Sequence, residues 1–402
     1  MAAQTPVGEL DGRSGWIAVA ATFVSVFTCF GVVYSFGTFF SAMSEDLGAG
    51  KGATALIFGL TIFFLFGLGV VTGRLADRHG PRPVVLAGAV SMGTGLLATS
   101  FVTRTYLGYA TYGVFVGTAT ACCYVPLVAQ VSGWFVRRRA AALGIAVAGI
   151  GLGTLVGPPV ANVLIEAIGW RSTYRVFAVV SVPLLVFAAL LVRRAPAAAA
   201  SATSLSFSEV VANRLFRYLY VGGFFMGLAL FVPFVFLVPY AKDQGIGAGA
   251  ASALVSLLGV GSLAGRLVLG TLGSRLGVIR LYQLCFVTMS ASFVLWLVSG
   301  ASYPVLVAFA LTLGVSYGGY VALSPAVAAE LFGLVGLGTV LGALYTSGGF
   351  GALIGPYLGG RILDATNDSY PVAIVVAMAL NTVGTLLLFP LRGQRGPVSR
   401  SS

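Results

Sequence analysis

One histidine, four cysteines and eleven acidic residues are all that this chain of 402 residues offers to the commonest catalytic and metal chemistries. A lone His79 cannot make a paired-histidine zinc site, and it leaves a nucleophile without a base. No Gly-x-Ser-x-Gly elbow occurs, so covalent hydrolysis has no scaffold. Cys29, Cys122, Cys123 and Cys285 fall inside apolar runs and read as small packing residues, neither disulfide nor metal set. An enzyme is therefore not expected, and no cofactor is implied. Charged residues make up only 8% of the chain, where a soluble domain carries about a quarter.

In their place stand long apolar runs: 58% of the residues are hydrophobic. Runs of about 20 residues, the length that carries a helix across a bilayer, recur from Trp16 to Leu391. Backbone groups in lipid must bond internally, and runs this continuous are helices rather than barrel strands. The fold class expected is an all-α membrane protein. Twelve transmembrane helices are read at 16–42, 52–73, 84–103, 106–134, 140–168, 173–192, 215–240, 248–272, 280–299, 303–328, 335–360 and 370–390. No small-residue cleavage site and soluble domain follow the first span, so it is read as retained.

The net charge of +12 follows from topology. With both termini on one side, that side collects sixteen of the 23 basic residues and the other side six, leaving Arg266. The positive-inside rule makes the rich side cytoplasmic, giving a multi-pass protein of the cell membrane with both termini inside. The expected partner for this charge is the anionic surface of the lipid bilayer, not nucleic acid.

The chain also repeats itself. "GRLADRHGPR" (73–82) has a worn copy in "GTLGSRLGVIR" (270–280), and "GTLVGPPVAN" (153–162) pairs with "GALIGPYLGG" (351–360). Pro126 and Pro325 keep nearly the same register. Two six-helix bundles, 1–192 and 215–402, joined by a cytoplasmic linker at 193–214, are expected. Duplicated halves with a site between them at mid-membrane define an alternating-access transporter.

In "GRLADRHGPR", Gly73, Asp77, Arg78 and Gly80 match the loop between spans two and three of the major facilitator superfamily, which the chain resembles over nearly its whole length. Within it, "DGRSGW" (11–16) resembles the opening signature of monocarboxylate transporters, and "WFVRRRAAALGIAVAGIGLG" (134–153) is similar to their second signature. Bacterial oxalate/formate-type exchangers share this branch. The resemblance implies that Arg266 holds a substrate carboxylate, with Tyr34 and Tyr124 placed around the anion. It also marks departures. Ser262 stands where animal monocarboxylate transporters carry an aspartate, and Thr38 where they carry a lysine. The span-eleven lysine of the dicarboxylate exchanger is missing.

The residues support the same centre. Arg266 lies in "LLGVGSLAGRLVLG" (257–270), with no Asp, Glu, Lys or His within seven positions on either side. A charge inside a span is costly and marks a functional site by default. None of the eleven acids falls in the interior of a span by this reading, Glu166 standing at the outer end of 140–168, so the guanidinium awaits an anion from elsewhere, and its fork fits a carboxylate in two parallel bonds. Snorkelling to the interface, or pairing with Asp77 or Glu330, is the competing reading. Substrate contacts are expected from Arg266, Tyr124, Tyr34 and Tyr320, with Phe234 and Phe236 on the apolar side. Gating is expected from Gly73, Asp77, Arg78, Gly80 and Arg137, with helix bends at Pro158 and Pro356. Asp77 is expected near the positive N-terminal end of span eleven. One fixed cation favours a small monocarboxylate anion of lactate or pyruvate type. Protons are a second candidate partner, by symport or in place of exchange. Export of other small organic anions or drugs, or oxalate/formate-type antiport, is the alternative.

Overall fold

The computed structural model describes residues 10–196, 212–332 and 337–391, and every regular element among them is helical. In chain order these are α1 (Arg13–Asp46), α2 (Lys51–Gly67 continued by Gly69–His79), α3 (Pro81–Thr99) and α4 (Thr105–Trp134). There follow α5 (139–168) and α6 (170–191), then α7 (Arg214–Asp243), α8 (Ala248–Leu276) and α9 (Val278–Ser299). The last three are α10 (Tyr303–Phe332), α11 (Leu337–Ala365) and α12 (Tyr370–Leu391). Helices α5 and α6 form one run interrupted at Gly169, whose φ of 76° is a conformation that suits glycine. Most of the expected 193–214 linker lies outside the described residues.

Several helices depart from the expected spans. The motif residues 73–79 belong to α2 and not to a loop, because nothing between Gly73 and His79 breaks a helix. The turn comes at Gly80 (φ 86°), and its duplicate Gly277 (φ 88°) turns α8 into α9. The Gly80 conformation, with ψ 162°, is nearly exclusive to glycine. Gly80→Ala is therefore expected to destabilise the protein by roughly 1–3 kcal/mol; a thermal melt in detergent that matches the wild type would contradict this.

Two of the long helices are broken at the same register. In α1 the break is at Ser35, whose hydroxyl turns back onto the Gly31 carbonyl. In α7 it is at Phe231, one residue before Val232-Pro233, where proline cannot donate to the ladder. Helix α2 bends by 44° at Leu68.

The halves α1–α6 and α7–α12 meet along two main seams, α2 against α11 and α5 against α8. Both are lined by glycine. A Cβ on Gly59 would stand 2.8 Å from the Leu353 carbonyl oxygen and 2.9 Å from that of Ala352. On the second seam, a Cβ on Gly259 would stand 2.9 Å from the Gly151 carbonyl oxygen. Small residues let backbones approach where hydrophobic driving force between helices is weak.

The arginine-rich ends of α2, α4, α6, α8 and α9 share one face of the bundle, the basic face. On it, the two signature segments are bound together. The Asp11 carboxylate accepts from the amides of Val136 (3.3 Å), Arg137 (3.2 Å) and Arg138 (3.1 Å). The Asp11 amide donates to the Trp134 carbonyl at 3.0 Å, and Trp16 meets Phe135 edge-on with centroids 5.2 Å apart. Arg137 thus serves the turn through its backbone while its side chain is exposed. These amides, Arg138's foremost, hold the Asp11 carboxyl below its ordinary 3.8. A depressed pKa stabilises the fold fully above about pH 3.8 and loses that contribution as pH falls through the folded value. Asp11→Asn should lower the melting temperature at pH 7, with the gap closing in stronger acid. A gap that persists unchanged to pH 2 would show that the charge is irrelevant.

Candidate functional site

A cavity of about 50 Å³ lies between the halves. Its walls come from α1 (Phe30), α2 (Phe66), α4 (Tyr124), α5 (Ile150) and α7 (Met226, Leu230, Phe231), with Arg266 of α8. Tyr317, Tyr320 and Val321 of α10 and Tyr345 and Gly348 of α11 complete it. Arg266 is the one charged side chain among these residues. The broken and bent helices α1, α2 and α7 all contribute, because a bend lets one helix line a cavity and still pack at its ends.

Helix α8 runs to Leu276, which places Arg266 about 15 Å from the helix end at 1.5 Å per residue. The side chain is half-buried, and the guanidinium stays at the level of the cavity. Its Nη1 donates to the Val147 carbonyl of α5, in the other half, at 3.1 Å. Its Nε is buried without an acceptor. The guanidinium carbon lies 6.0 Å from the centre of the Tyr317 ring. The two ion pairs among the described residues are Lys51–Asp368 and Arg171–Asp46, and neither involves Arg266. Asp77 and Glu330 are exposed on their own helices. A buried, unsatisfied donor on a charged group costs on the order of 1–3 kcal/mol or more. That cost is removed if an anion completes the fork.

The structure brings Tyr124 and Tyr320 to the same cavity as Arg266. Tyr34 lies one step away: its hydroxyl is 3.1 Å from that of Tyr317, a hydrogen bond joining α1 to α10 across the halves. Phe234 stacks on Tyr34 with centroids 4.5 Å apart. Phe236 does not share this position and meets Phe40 of α1 edge-on at 5.1 Å. Two residues apart on a helix means opposite directions, so Phe234 and Phe236 cannot both face one cavity. The aromatic residues Tyr317, Tyr345, Phe30 and Phe231 were not singled out as substrate contacts. Spacing could have found one of them, since Tyr317 and Tyr320 are three apart and share a helix face.

The expected gating residues divide in the same way. Pro158 and Pro356 are buried within α5 and α11. Gly73 lies near Val125 of α4, and Asp77 and Arg78 are exposed. The Asp77 backbone carbonyl accepts from the guanidinium of Arg194, just beyond the end of α6, and among the described residues no cation pairs with its carboxylate. Its expected contact is with the start of span eleven, read at 335, and residues 333–336 lie outside the described residues.

Among the described residues, every hydrogen bond, ion pair and ring contact between the halves lies at the level of the cavity or toward the end opposite the basic face. At that far end the Asp364 carboxylate of α11 accepts from the Lys51 and Gly52 amides of α2, at 2.7 and 3.0 Å, and Lys51 Nζ lies 2.8 Å from Asp368. Farther in, the Ser256 hydroxyl of α8 donates to the Leu155 carbonyl of α5 at 2.7 Å. The conformation is closed at the far end.

The family model of the Major Facilitator Superfamily matches residues 22–221 and again 219–402. The chain belongs to this superfamily. It is a multi-pass membrane protein with the fold of a transporter, and each half carries its own match. Over 377 residues it is 32% identical to monocarboxylate transporter 3 of Rattus norvegicus, covering 90% of this chain and 76% of the relative. It is 30% identical over 382 residues to monocarboxylate transporter 11 of Homo sapiens, covering 90% and 80%. It is also 28% identical to MFS-type transporter 1 of an Ophiocordyceps species, covering 95% and 86%. A bacterial homologue of the human lysosomal transporter Spinster, solved inward-facing and unoccupied, superposes with a TM-score of 0.76 at 13% identity, covering 96% and 99%. The nucleoside transporter NupG superposes at 0.74 and 13% identity, covering 95% of this chain and 100% of its own. These two comparisons bear on the fold alone.

Proposed function

We propose that this protein moves a small monocarboxylate, of lactate or pyruvate type, across the cell membrane by alternating access between its two halves. The observation that carries the reading is Arg266: one cation in the central cavity, one buried Nε without an acceptor, and no described carboxylate beside it. Names of the relatives agree, since two of them are monocarboxylate transporters. The small cavity favours a short acid, and a single positive charge favours a single negative one.

With the basic face read as cytoplasmic by the positive-inside rule, the end seen closed is the outer one, which leaves entry from the cell interior. The acid enters there, and its carboxylate pairs with the Nε edge of the guanidinium, which the Val147 carbonyl leaves free. The hydroxyls of Tyr124, Tyr320 and Tyr317 supply donors to the remaining oxygens. Pairing lowers the cost of enclosing the arginine, so the inner ends can approach while the Asp364–Lys51 contacts part. A ligand shifts such an equilibrium only by its differential affinity for the two states. The charge pairing is that difference. The relay positions held by Ser262 and Thr38 offer no carboxylate or amine to carry a proton. Exchange of one acid for another is accordingly preferred over proton symport.

Uptake by proteoliposomes, with a panel of mono- and dicarboxylates and with or without a pH gradient, tests this directly. Saturable uptake of a short monocarboxylate, stimulated by the same acid on the far side, is expected. Uptake confined to dianions would overturn the charge argument. The fungal MFS-type relative favours a second reading, transport of other small organic anions, which the same panel would reveal as uptake of larger acids alone.

A further inference from the structure

A second concavity lies away from the central cavity, and the transport reading does not use it. Helices α8 and α9 join at the Gly277 turn and diverge from it, while both pack closely on α10. Between them runs a groove of about 330 Å³, walled by Leu269, Leu281 and Leu284 and floored by Leu311 and Val315. Leu284 is half exposed, so the groove opens sideways to the surface that faces the bilayer. The hydroxyls of Thr288 and Ser316, also in its lining, lie 2.7 Å apart. Acceptors for their protons stand close by, the Leu284 and Cys285 carbonyls for Thr288 and the Thr312 carbonyl for Ser316. With those groups satisfied, the groove presents mainly hydrocarbon.

Its chemistry changes abruptly at the turn. Arg275, in the last turn of α8, and Arg280, in the first of α9, flank Gly277 and are exposed. Leu281, next in sequence to Arg280, begins the groove wall. Among the described residues neither arginine makes an ion pair or a hydrogen bond. Two unpaired cations at the interfacial end of an apolar slot match an anionic head joined to an acyl chain.

We propose that the α8–α9 groove binds an anionic phospholipid, with one acyl chain between Leu269 and Leu284 and the phosphate on Arg275 and Arg280. The site is independent of Arg266 and of the substrate reading. An apolar ligand without charge would leave the arginines unused, and a second copy of this chain would bring its own basic ends against them.

The experiment is native mass spectrometry of the full-length protein in detergent, titrated with phosphatidylglycerol or phosphatidylcholine of matched chains. Wild-type protein should retain phosphatidylglycerol well above phosphatidylcholine. Each arginine near an anionic phosphate is worth about fivefold, so Arg275→Gln with Arg280→Gln should lower phosphatidylglycerol binding about 25-fold. Leu284→Trp, which narrows the slot, should lower binding of both lipids. The double replacement by lysine should keep most of the preference. Equal retention of the two lipids by wild type overturns the proposal even if no variant folds. So does undiminished phosphatidylglycerol on the double glutamine variant, or a dimer that Leu284→Trp dissociates without altering bound lipid.

Discussion

Arg266→Gln should reduce monocarboxylate uptake about 100-fold while leaving the folded protein in the membrane. The magnitude follows from what is lost. A charge-assisted pair in a largely enclosed site is worth up to about 3 kcal/mol, and that converts to roughly two orders of magnitude in affinity or rate. Glutamine keeps a donor for the Val147 carbonyl, so the α5–α8 contact has a replacement and the fold should survive. Arg266→Lys should fall between, about tenfold down, because an ammonium supplies charge without the planar fork. The measurement is initial uptake in proteoliposomes, normalised to protein that elutes as a single species. Wild-type uptake by the glutamine variant would mean that the cation serves packing only.

Gly59→Leu should abolish transport for a different reason. The backbone of α11 leaves no room for a side chain at Gly59, since both facing atoms are carbonyl oxygens of the helix itself. The helices must part to accept it, and they meet there in the conformation whose far end is closed. Overpacking of this kind costs up to about 3 kcal/mol, enough to displace a two-state equilibrium roughly 150-fold. The other state, with the far end open, has no such restriction. Each half should fold as before, while the cycle stalls. The test is labelling of a cysteine at Phe40, which is buried against Phe236 here, by an impermeant maleimide. Native cysteines are buried and give little background. Labelling should rise strongly in the Gly59→Leu background and stay low with Gly59 intact. Equal labelling in both would contradict the assignment of this seam as a closed gate.

How far the sequence discloses this molecule depends on which physics is asked of it. Span lengths are dictated by bilayer thickness, so twelve crossings could be read from apolar runs. The isolation of Arg266 was legible because a buried charge is visible in composition alone, whereas its bond to Val147 depends on how the halves meet. The breaks at Ser35 and Phe231 were not anticipated. Neither residue is a strong breaker, and the causes are a serine back-bond and a proline two residues on. Aromatic residues were the hardest to place. Twelve per cent of the chain is Phe, Trp or Tyr, and each ring packs equally well against lipid, a neighbouring helix or a ligand. Helical angles would have separated Phe234 from Phe236 and joined Tyr317 to Tyr320. They could not have paired Tyr34 with Tyr317, since that contact is made between the halves.

The central claim is that cargo supplies the negative charge which the protein withholds from Arg266. A structure determined with a bound short monocarboxylate tests it most directly. Both carboxylate oxygens are expected within about 3 Å of the Arg266 guanidinium, on Nε and Nη2, the edge that the Val147 bond leaves free. A carboxylate bound elsewhere in the cavity, with Nε still without an acceptor, would contradict the account.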